Sequence, residues 1–242
     1  PEEAPYFEAF GAAIAALERG LPRSAELFKL EESHFNFLPN LEKAKELVTF
    51  NSVQFDKAQA GDRCIIGVDV GSTTTKAIIL RVSDNKFLGS EYLRTNGNPV
   101  EATRLCYQSL LRQLDGVAID IIVIGVTGSG RQIAGLYSLT EGIINEIIAH
   151  ASAAIYFDPE VDTIFEIGGQ DAKYTHITNS VASDYAMNEA CSAGTGSFLE
   201  ESALESLGVS VEDIAEYAML AKNPPNFNDQ CAAFISSDIK NA

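Results

Sequence analysis

Basic residues are scarce in this 242-residue sequence, and the shortage argues against one class of function. Lysine and arginine number 17 against 34 aspartates and glutamates, so the net charge is −17 at pH 7. Proteins that bind nucleic acids non-specifically need a basic surface, and we therefore expect no nucleic acid among the partners. An anionic ligand would have to be held by backbone amides, magnesium and a few local cations.

A long apolar run and a targeting segment are also missing. No apolar stretch approaches the ~20 residues of a membrane-spanning helix. The initial Pro-Glu-Glu-Ala-Pro has neither the basic nor the apolar region of a signal peptide. We therefore expect a cytoplasmic protein with no membrane contact. Hydrophobic residues make up 46% of the chain, which is enough for a core in one large domain or two small ones.

Cysteine is limited to positions 64, 106, 191 and 231, without a Cys-x-x-Cys pair or a spacing typical of zinc sites. Without a secretory signal, we expect no disulfide framework. Cys106 shares a helical face with Leu110 and Leu114, and Cys64 lies at the edge of a predicted strand. Both are therefore predicted to be core residues.

The segment from Ile65 to Leu80 predicts a phosphate-binding hairpin. Two apolar β-runs are joined by a turn that contains one glycine and four consecutive hydroxyl residues. Glycine permits backbone conformations closed to other residues, and hydroxyl groups beside free N–H groups suit a phosphate. Asp69, at the strand end, can hold a hydrated magnesium ion or orient a water molecule. An ordinary hairpin with a threonine run is the alternative. The candidate residues are Asp69, Gly71, Ser72, Thr73, Thr74 and Lys76.

A second segment, residues 163–177, repeats this pattern. It contains an apolar strand, a glycine turn with polar residues, and another β-run. The turn supplies Gly168, Gly169 and Gln170 as further phosphate-binding candidates, and Asp171 as a second carboxylate for magnesium.

Between the two hairpins, hydrophobic periodicity predicts alternating strands and helices. A meander of three antiparallel strands is followed by a helix over residues 99–114. Residues 119–126 form a near-continuous apolar run, as expected for a strand covered on both faces. The three strands of the meander are predicted near residues 64–71, 74–82 and 87–95.

Thr140 is a suitable N-cap for a further helix that runs to about Tyr156. Glu146 and His150 lie four residues apart on this helix, which is a metal-ligand spacing. No third ligand accompanies them, and we assign them to an exposed polar face.

The two hairpins, in this order and each preceded by a buried strand, resemble the phosphate-binding segments of the actin, sugar-kinase and heat-shock-chaperone ATPases. The resemblance implies an α/β fold of the ribonuclease-H-like, actin-type class, with a mixed sheet, flanking helices, and bound ATP and magnesium. These proteins close their cleft with a second lobe that holds the adenosine. We expect that second lobe to be truncated here.

Three later motifs more closely resemble the ATP-dependent activators of 2-hydroxyacyl-CoA dehydratases and benzoyl-CoA reductases. The resemblance runs from about residue 65 to the last residue. It implies an ATPase that takes one electron from a ferredoxin or flavodoxin and delivers it to a dehydratase or reductase component. The motifs are Ile167-Gly-Gly-Gln-Asp171, Met187-Asn-Glu-Ala-Cys-Ser-Ala-Gly-Thr-Gly-Ser-Phe-Leu199, and Cys231 with Ser236-Ser-Asp-Ile-Lys-Asn241.

Cys191 and Cys231 are both predicted to lie at or just before a helix N-terminus. Backbone N–H groups and the helix dipole stabilise a thiolate there, or an anionic cluster bound through it. Taken without the family, packing residues are the alternative. In the activators these two positions hold one [4Fe-4S] cluster between two domains. The resemblance therefore implies that a second domain copy or an identical subunit supplies the other two ligands.

The sequence predicts four regions. We expect residues 1–20 to be the tail of an upstream domain copy, with a plain N-terminal amphipathic helix as the alternative, and residues 21–62 to be a linker. Residues 63–182 are the predicted first lobe, and residues 183–242 begin the second lobe with the cluster cysteines.

Two other functions stay open. A small-molecule kinase of the same superfamily would use Asp69 or Asp171 in phosphoryl transfer. A non-catalytic regulatory fragment would have a cleft too incomplete for nucleotide. The chain also departs from the family pattern at Glu166, where an aspartate is common and magnesium geometry is affected. A second departure is Ser129, where many activators carry an aromatic residue.

Overall fold

The computed structural model describes residues 3–20, 22, 36–188, 194–227 and 231–242. The chain separates into two compact units, Pro1–Asn36 and Phe37–Ala242. In the first unit, a 3-10 turn leads into helix α1 (Phe7–Glu18), which contains Gly11 and has no fully buried residue. A helix here agrees with the sequence, while its origin in an upstream domain copy stays a prediction.

The short strand β1 (Asn36–Phe37) lies at the boundary of the units. A 3-10 helix, Leu41–Leu47, follows. In the second unit, the Arg81 guanidinium donates hydrogen bonds to the carboxylates of Asp56, Asp62 and Asp84. These bonds connect the segment before the first long strand to the sheet. They also hold the pKa values of Asp56 and Asp84 below the usual range.

A five-stranded mixed sheet forms the centre of the second unit, in the order β4-β3-β2-β5-β6. Its first three strands pair antiparallel as the predicted meander, and β5 and β6 add in parallel. Alternate residues of β2 and β3 are buried, since one face of each strand covers the core. The strands are β2 (Arg63–Val70), β3 (Thr74–Arg81), β4 (Phe87–Arg94), β5 (Asp120–Thr127) and β6 (Gly142–Ile143).

Helix α2 (Pro99–Gln113) packs on β3 and β4. The Asn98 side chain accepts the Glu101 N–H at 3.1 Å, and proline occupies the first helical position, so the helix begins as its sequence predicts. Cys64 and Cys106 are fully buried in the core, which confirms their predicted packing role.

Two expectations for the middle of the chain are wrong. Thr140 does not cap a helix, because its hydroxyl donates to the Ile124 carbonyl at 2.6 Å and accepts the Gly142 N–H at 3.0 Å. These bonds direct the chain into β6 instead. After α3 (Arg131–Ser138) and β6, helix α4 (Glu146–Phe157) begins with Asn145 as its cap.

The strand β5 is also not covered on both faces. Ile121, Ile122 and Val123 are between 38% and 50% exposed. Among the described helices, α3 alone has substantial contact with β5, so the faces of the first half of the strand have little packed against them. The short β6 pairs only with Gly125 and Val126.

A second, antiparallel sheet follows in the order β7-β8-β9. It consists of β7 (Thr163–Ile167), β8 (Ala172–Thr178) and β9 (Val181–Met187). The remaining elements are α5 (Gly196–Leu207), α6 (Ile214–Leu220), β10 (Pro225–Asn226) and α7 (Ala232–Asn241). None of the helices found in the described ranges is long and apolar enough to cross a membrane.

Candidate functional site

Both predicted phosphate turns line one cleft of about 810 Å³ in the second unit. The cleft thus brings together side chains from the ends of β2 and β7 that are far apart in sequence. All ten residues predicted to bind phosphate or magnesium lie on its wall: Asp69, Gly71, Ser72, Thr73, Thr74, Lys76, Gly168, Gly169, Gln170 and Asp171.

The first turn joins β2 to β3 tightly. The Gly71 N–H donates to the Thr74 carbonyl at 2.9 Å. Asp69 and Lys76 are paired across the two strands, and Lys76 Nζ lies 3.0 Å from Asp69 Oδ2. The Asp69 carboxylate, which was predicted to bind magnesium, therefore has the Lys76 ammonium group beside it. Lys76 also gives the cleft a positive charge near the first turn.

The second turn contacts the first directly. Ser72 Oγ donates to Gln170 Oε1 at 2.8 Å. Gly169 lies so close to Thr73 that a Cβ on the glycine would be 2.8 Å from the threonine hydroxyl oxygen. Within the second turn, the Gly168 N–H donates to the Asp171 carbonyl at 2.8 Å. The two glycine turns therefore form one continuous wall of backbone amides and hydroxyl groups, which suits a chain of phosphates.

The start of α5 is hydrogen-bonded to the second turn. The Gly196 and Ser197 N–H groups donate to the Gly168 and Gly169 carbonyls at 2.9 and 2.6 Å. The helix that follows Cys191 in sequence therefore begins at the wall of the cleft.

Thr127, at the end of β5, supplies a polar atom that sequence reasoning did not single out. Its Oγ1 is buried and has no hydrogen-bond partner within the described residues, and Thr127 is opposite Asp69 in the β2–β5 pairing. The next residue, Gly128, has φ +89°, and a Cβ there would lie 2.5 Å from Asp69 Oδ1. An unpaired hydroxyl beside a carboxylate, in a wall without side-chain bulk, fits a hydrated magnesium ion and phosphate oxygens.

Four charged or titratable side chains form a cluster in the same cleft. His150 Nδ1 lies 2.9 Å from Glu166 Oε2, and Lys173 Nζ lies 3.5 Å from Glu166 Oε1 and 3.6 Å from Glu146 Oε1. Glu146 and His150, assigned to an exposed polar face, are 32% and 45% exposed, and α4 places both at the cleft. The four-residue spacing in α4 was visible in sequence, but the partners on β7 and β8 were not.

Cys231 is exposed and is the N-cap residue of α7, at the helix start expected for it. Cys191 lies outside the described residues. Burial raises the pKa of the Cys64 thiol, and it raises that of Cys106 to about 11, so both remain protonated thiols at neutral pH. Of the three described cysteines, only Cys231 is exposed.

Two acidic residues of α5 form ion pairs in the described structure. Glu200 is 3.0 Å from Arg94, and Glu205 is 3.6 Å from Lys240. Among residues 3–20, 22, 36–188, 194–227 and 231–242, no three His, Cys, Asp or Glu side chains are grouped for metal binding.

Residues 66–242 match the sequence pattern of the BadF/BadG/BcrA/BcrD ATPase family. The (R)-2-hydroxyglutaryl-CoA dehydratase activating ATPase of Acidaminococcus fermentans is 32% identical over 174 residues, which is 72% of this chain and 65% of that protein. The 2-hydroxyisocaproyl-CoA dehydratase activator of Clostridioides difficile is 31% identical over 175 residues, covering 72% of this chain and 64% of the relative. The chain thus spans less than two thirds of the length of these relatives.

Two solved structures of dehydratase activators are similar to this chain in fold. The activator of the 2-hydroxyisocaproyl-CoA dehydratase from Clostridium difficile, with bound ADPNP, matches with a TM-score of 0.62 and 32% identity. That match covers 72% of this chain and 63% of the other. The Acidaminococcus fermentans (R)-2-hydroxyglutaryl-CoA dehydratase component A matches with a TM-score of 0.60 and 28% identity, over 73% of this chain and 66% of the other. Both likenesses confirm the fold class predicted from the two hairpins.

Proposed function

Because this chain belongs to the BadF/BadG/BcrA/BcrD ATPase family, we propose that it hydrolyses ATP to drive electron transfer to a 2-hydroxyacyl-CoA dehydratase-type enzyme. The observation that carries the proposal is the contact between the two glycine turns, through Ser72 with Gln170 and Gly169 with Thr73. The resulting wall suits the phosphates of ATP, and the ADPNP-bound activator of similar fold supports nucleotide as the ligand.

Within this proposal the two turns bind the β- and γ-phosphates. Backbone N–H groups and the Ser72 and Thr73 hydroxyls donate to phosphate oxygens, and Lys76 supplies a local cation. Asp69 and Asp171 hold magnesium through its water shell, with the Thr127 hydroxyl as an additional donor or acceptor. Because the protein has an excess of acidic residues, magnesium also offsets the charge repulsion that ATP meets on entry.

Cys191 and Cys231 would be two of the four ligands of a [4Fe-4S] cluster, which stores one electron when bound. A second domain copy or an identical subunit would provide the other two. The exposed Cys231 at the start of α7 supports this role for one of the two thiols.

The second turn would couple the nucleotide state to the position of a cluster ligand. Loss of the γ-phosphate changes the contacts of Gly168 and Gly169, whose carbonyls hold the start of α5. Cys191 precedes that helix start in sequence, so the nucleotide state biases the position of the segment that carries the thiol.

The proposed partners are a dehydratase or reductase component as electron acceptor and a ferredoxin or flavodoxin as donor, in the cytoplasm. Two relatives named for dehydratase activation support the acceptor. We also propose residues 63–182 as the first lobe, residues 183–242 as the start of the second lobe, and residues 1–20 and 21–62 as an upstream tail and linker.

Anaerobic reconstitution of the full-length protein with iron and sulfide tests the proposal, beside Cys191→Ser, Cys231→Ser and the buried-cysteine control Cys64→Ala. We expect the visible and EPR spectra of one cluster shared by two domains in the parent and the control, and no cluster in the two serine variants. Magnesium–ATP binding should persist in all four proteins. If no cluster forms in the parent while ATP is hydrolysed, the electron-transfer role is wrong and the kinase alternative is favoured.

A further inference from the structure

Thr95 is a buried threonine that contacts the first turn from behind the wall of the cleft. It follows β4 directly and is 4% exposed. Its N–H donates to the Thr73 carbonyl at 2.9 Å, and its hydroxyl donates to the Gly71 carbonyl at 2.8 Å. One residue thus holds the two turn carbonyls on either side of Ser72.

A second buried threonine completes this arrangement. Thr75 is fully buried, and its Oγ1 lies 2.9 Å from the Oγ1 of Thr95. A hydroxyl group has one proton to donate, and Thr95 donates its proton to Gly71. Thr75 is therefore the donor in the threonine pair. The two hydroxyls form a chain that ends at the first turn, and in a buried site each bond of such a chain strengthens the next.

The backbone of Thr95 is itself fixed by the start of α2. The Thr95 carbonyl accepts the Asn98 N–H at 2.9 Å, and Asn98 is the N-cap residue of α2. Between them, Asn96 and Gly97 have positive φ values of 50° and 68°, as in a tight turn. Because α2 packs on β3 and β4, the Thr95 hydroxyl reaches Gly71 from a rigid support.

The bond from Thr95 to Gly71 sets the direction of the next amide. A peptide unit is planar, and its carbonyl and its N–H point in opposite directions. Because the Gly71 carbonyl points to the buried Thr95, the Ser72 N–H points the other way, toward the cleft that Ser72 lines. This N–H has no acceptor among the described residues. An N–H group fixed in this way is a donor for a phosphate oxygen.

From this geometry we infer that Thr95 is a positioning residue whose hydroxyl holds the Gly71–Ser72 peptide so that the Ser72 N–H donates to a phosphate oxygen of ATP. The inference rests on the proposed ATPase function and names what keeps the first turn in its binding form. Without the hydroxyl, the Gly71 carbonyl has lost its partner, and this peptide can rotate. A rotated peptide presents its carbonyl oxygen to the phosphate instead of its N–H, which repels the nucleotide.

The first experiment compares Thr95→Val with Thr103→Val in the full-length protein. Thr103 is a matched control, because its buried hydroxyl also donates to a backbone carbonyl, that of Pro99 at 2.7 Å, but within α2. Equilibrium binding of magnesium–ADPNP and the urea midpoint of unfolding are measured for each variant. We expect Thr95→Val to weaken ADPNP binding about tenfold or more. Thr103→Val and Thr95→Ser, which keeps the hydroxyl, should change it less than about threefold.

The second experiment observes the Ser72 amide directly. Hydrogen exchange, resolved to single residues, is measured with and without saturating magnesium–ADPNP. Because a hydrogen-bonded amide exchanges slowly, we expect ADPNP to slow exchange at Ser72 about tenfold or more in the parent protein. In Thr95→Val at equal saturation this slowing should be lost. A purely structural role for Thr95 would instead lower the urea midpoint and leave the slowing at Ser72 unchanged.

The outcomes separate this inference from the proposed function. ADPNP binding by Thr95→Val within about threefold of the parent, or equal weakening in Thr103→Val, would overturn the role of Thr95 and leave the ATPase proposal standing. Exchange at Ser72 that ADPNP does not slow in the parent would also overturn it, even if Thr95→Val does not fold. A parent protein that binds no ADPNP and hydrolyses no ATP would overturn the proposed function itself.

Discussion

At the scale of single residues, the shape of the cleft depends on two glycines that allow neighbouring segments to lie very close to the backbone. The two turns contact each other because Gly169 has no side chain where Thr73 lies. Gly128 plays a similar part beside Asp69, with a positive φ that glycine adopts without strain. The sequence predicted a functional role for Gly169, but only the structure showed that the two turns are in contact.

Gly169→Ala should weaken nucleotide binding by about tenfold or more, because the added Cβ would lie 2.8 Å from the Thr73 hydroxyl oxygen and separate the turns. Titration calorimetry with magnesium–ADPNP measures the effect. Gly11→Ala is the control, since no atom lies within 4 Å of the added Cβ. Equal affinity for both variants would show that the turns need not touch.

Cys106 gives a pH-dependent contribution to stability. Burial raises its pKa from 9.0 to about 11, so between these values the unfolded chain has lost the thiol proton while the folded chain keeps it. The stabilising contribution is therefore present below pH 9 and falls as pH rises toward 11.

Urea unfolding of the parent and of Cys106→Ala, each at about pH 8 and about pH 10, measures this contribution. The difference in free energy of unfolding between the two proteins should be smaller by about 1 kcal/mol at pH 10 than at pH 8. A difference that does not change with pH would contradict the assignment.

At the scale of elements, local sequence was a reliable guide where hydrogen bonds stay within a segment or its neighbours. The β2–β3–β4 meander and α2 begin and end close to the predicted residues. The start of α4 was misplaced because the Thr140 hydroxyl bonds to a carbonyl of β5, a partner distant in sequence. A capping residue suggests a helix only when no tertiary acceptor competes for its hydroxyl.

Adjacent leucines of α2 test how the helix packs. Leu110 is 1% exposed and Leu111 is 58% exposed. Leu110→Ala should lower the free energy of unfolding by about 2–5 kcal/mol, whereas Leu111→Ala should change it by less than about 0.5 kcal/mol. Urea denaturation of both variants measures the difference. Similar losses would mean that Leu111 is also covered in the folded protein.

At the scale of the whole molecule, charge limits the range of partners. The net charge of −17 repels polyanions, and the cations of the cleft, Lys76 and Lys173, already lie beside carboxylates. A small anion can still bind where backbone amides converge, because that attraction is local. A partner that meets the acidic residues of α5 should present basic side chains.

The charge balance predicts that these 242 residues do not bind duplex DNA. Fluorescence anisotropy of a labelled duplex should stay constant up to about 10 μM protein at physiological salt, since no phosphate-neutralising surface is expected. Magnesium–ADPNP binding in the same preparation is the positive control. A salt-sensitive rise in anisotropy would contradict the prediction.

By itself, the sequence determined the two phosphate hairpins, the fold class, the buried Cys64 and Cys106, and the helix start at Cys231. These features depend on patterns with a local physical cause: alternation in strands, turn glycines and helix capping. The sequence did not place Glu146, His150, Glu166 and Lys173 in one cluster, nor leave the Thr127 hydroxyl unpaired beside Asp69. Those arrangements arise only when α4, β5 and the β7–β8 hairpin come together around the cleft. Contacts between segments distant in sequence depend on how whole elements pack, and no local pattern encodes that packing.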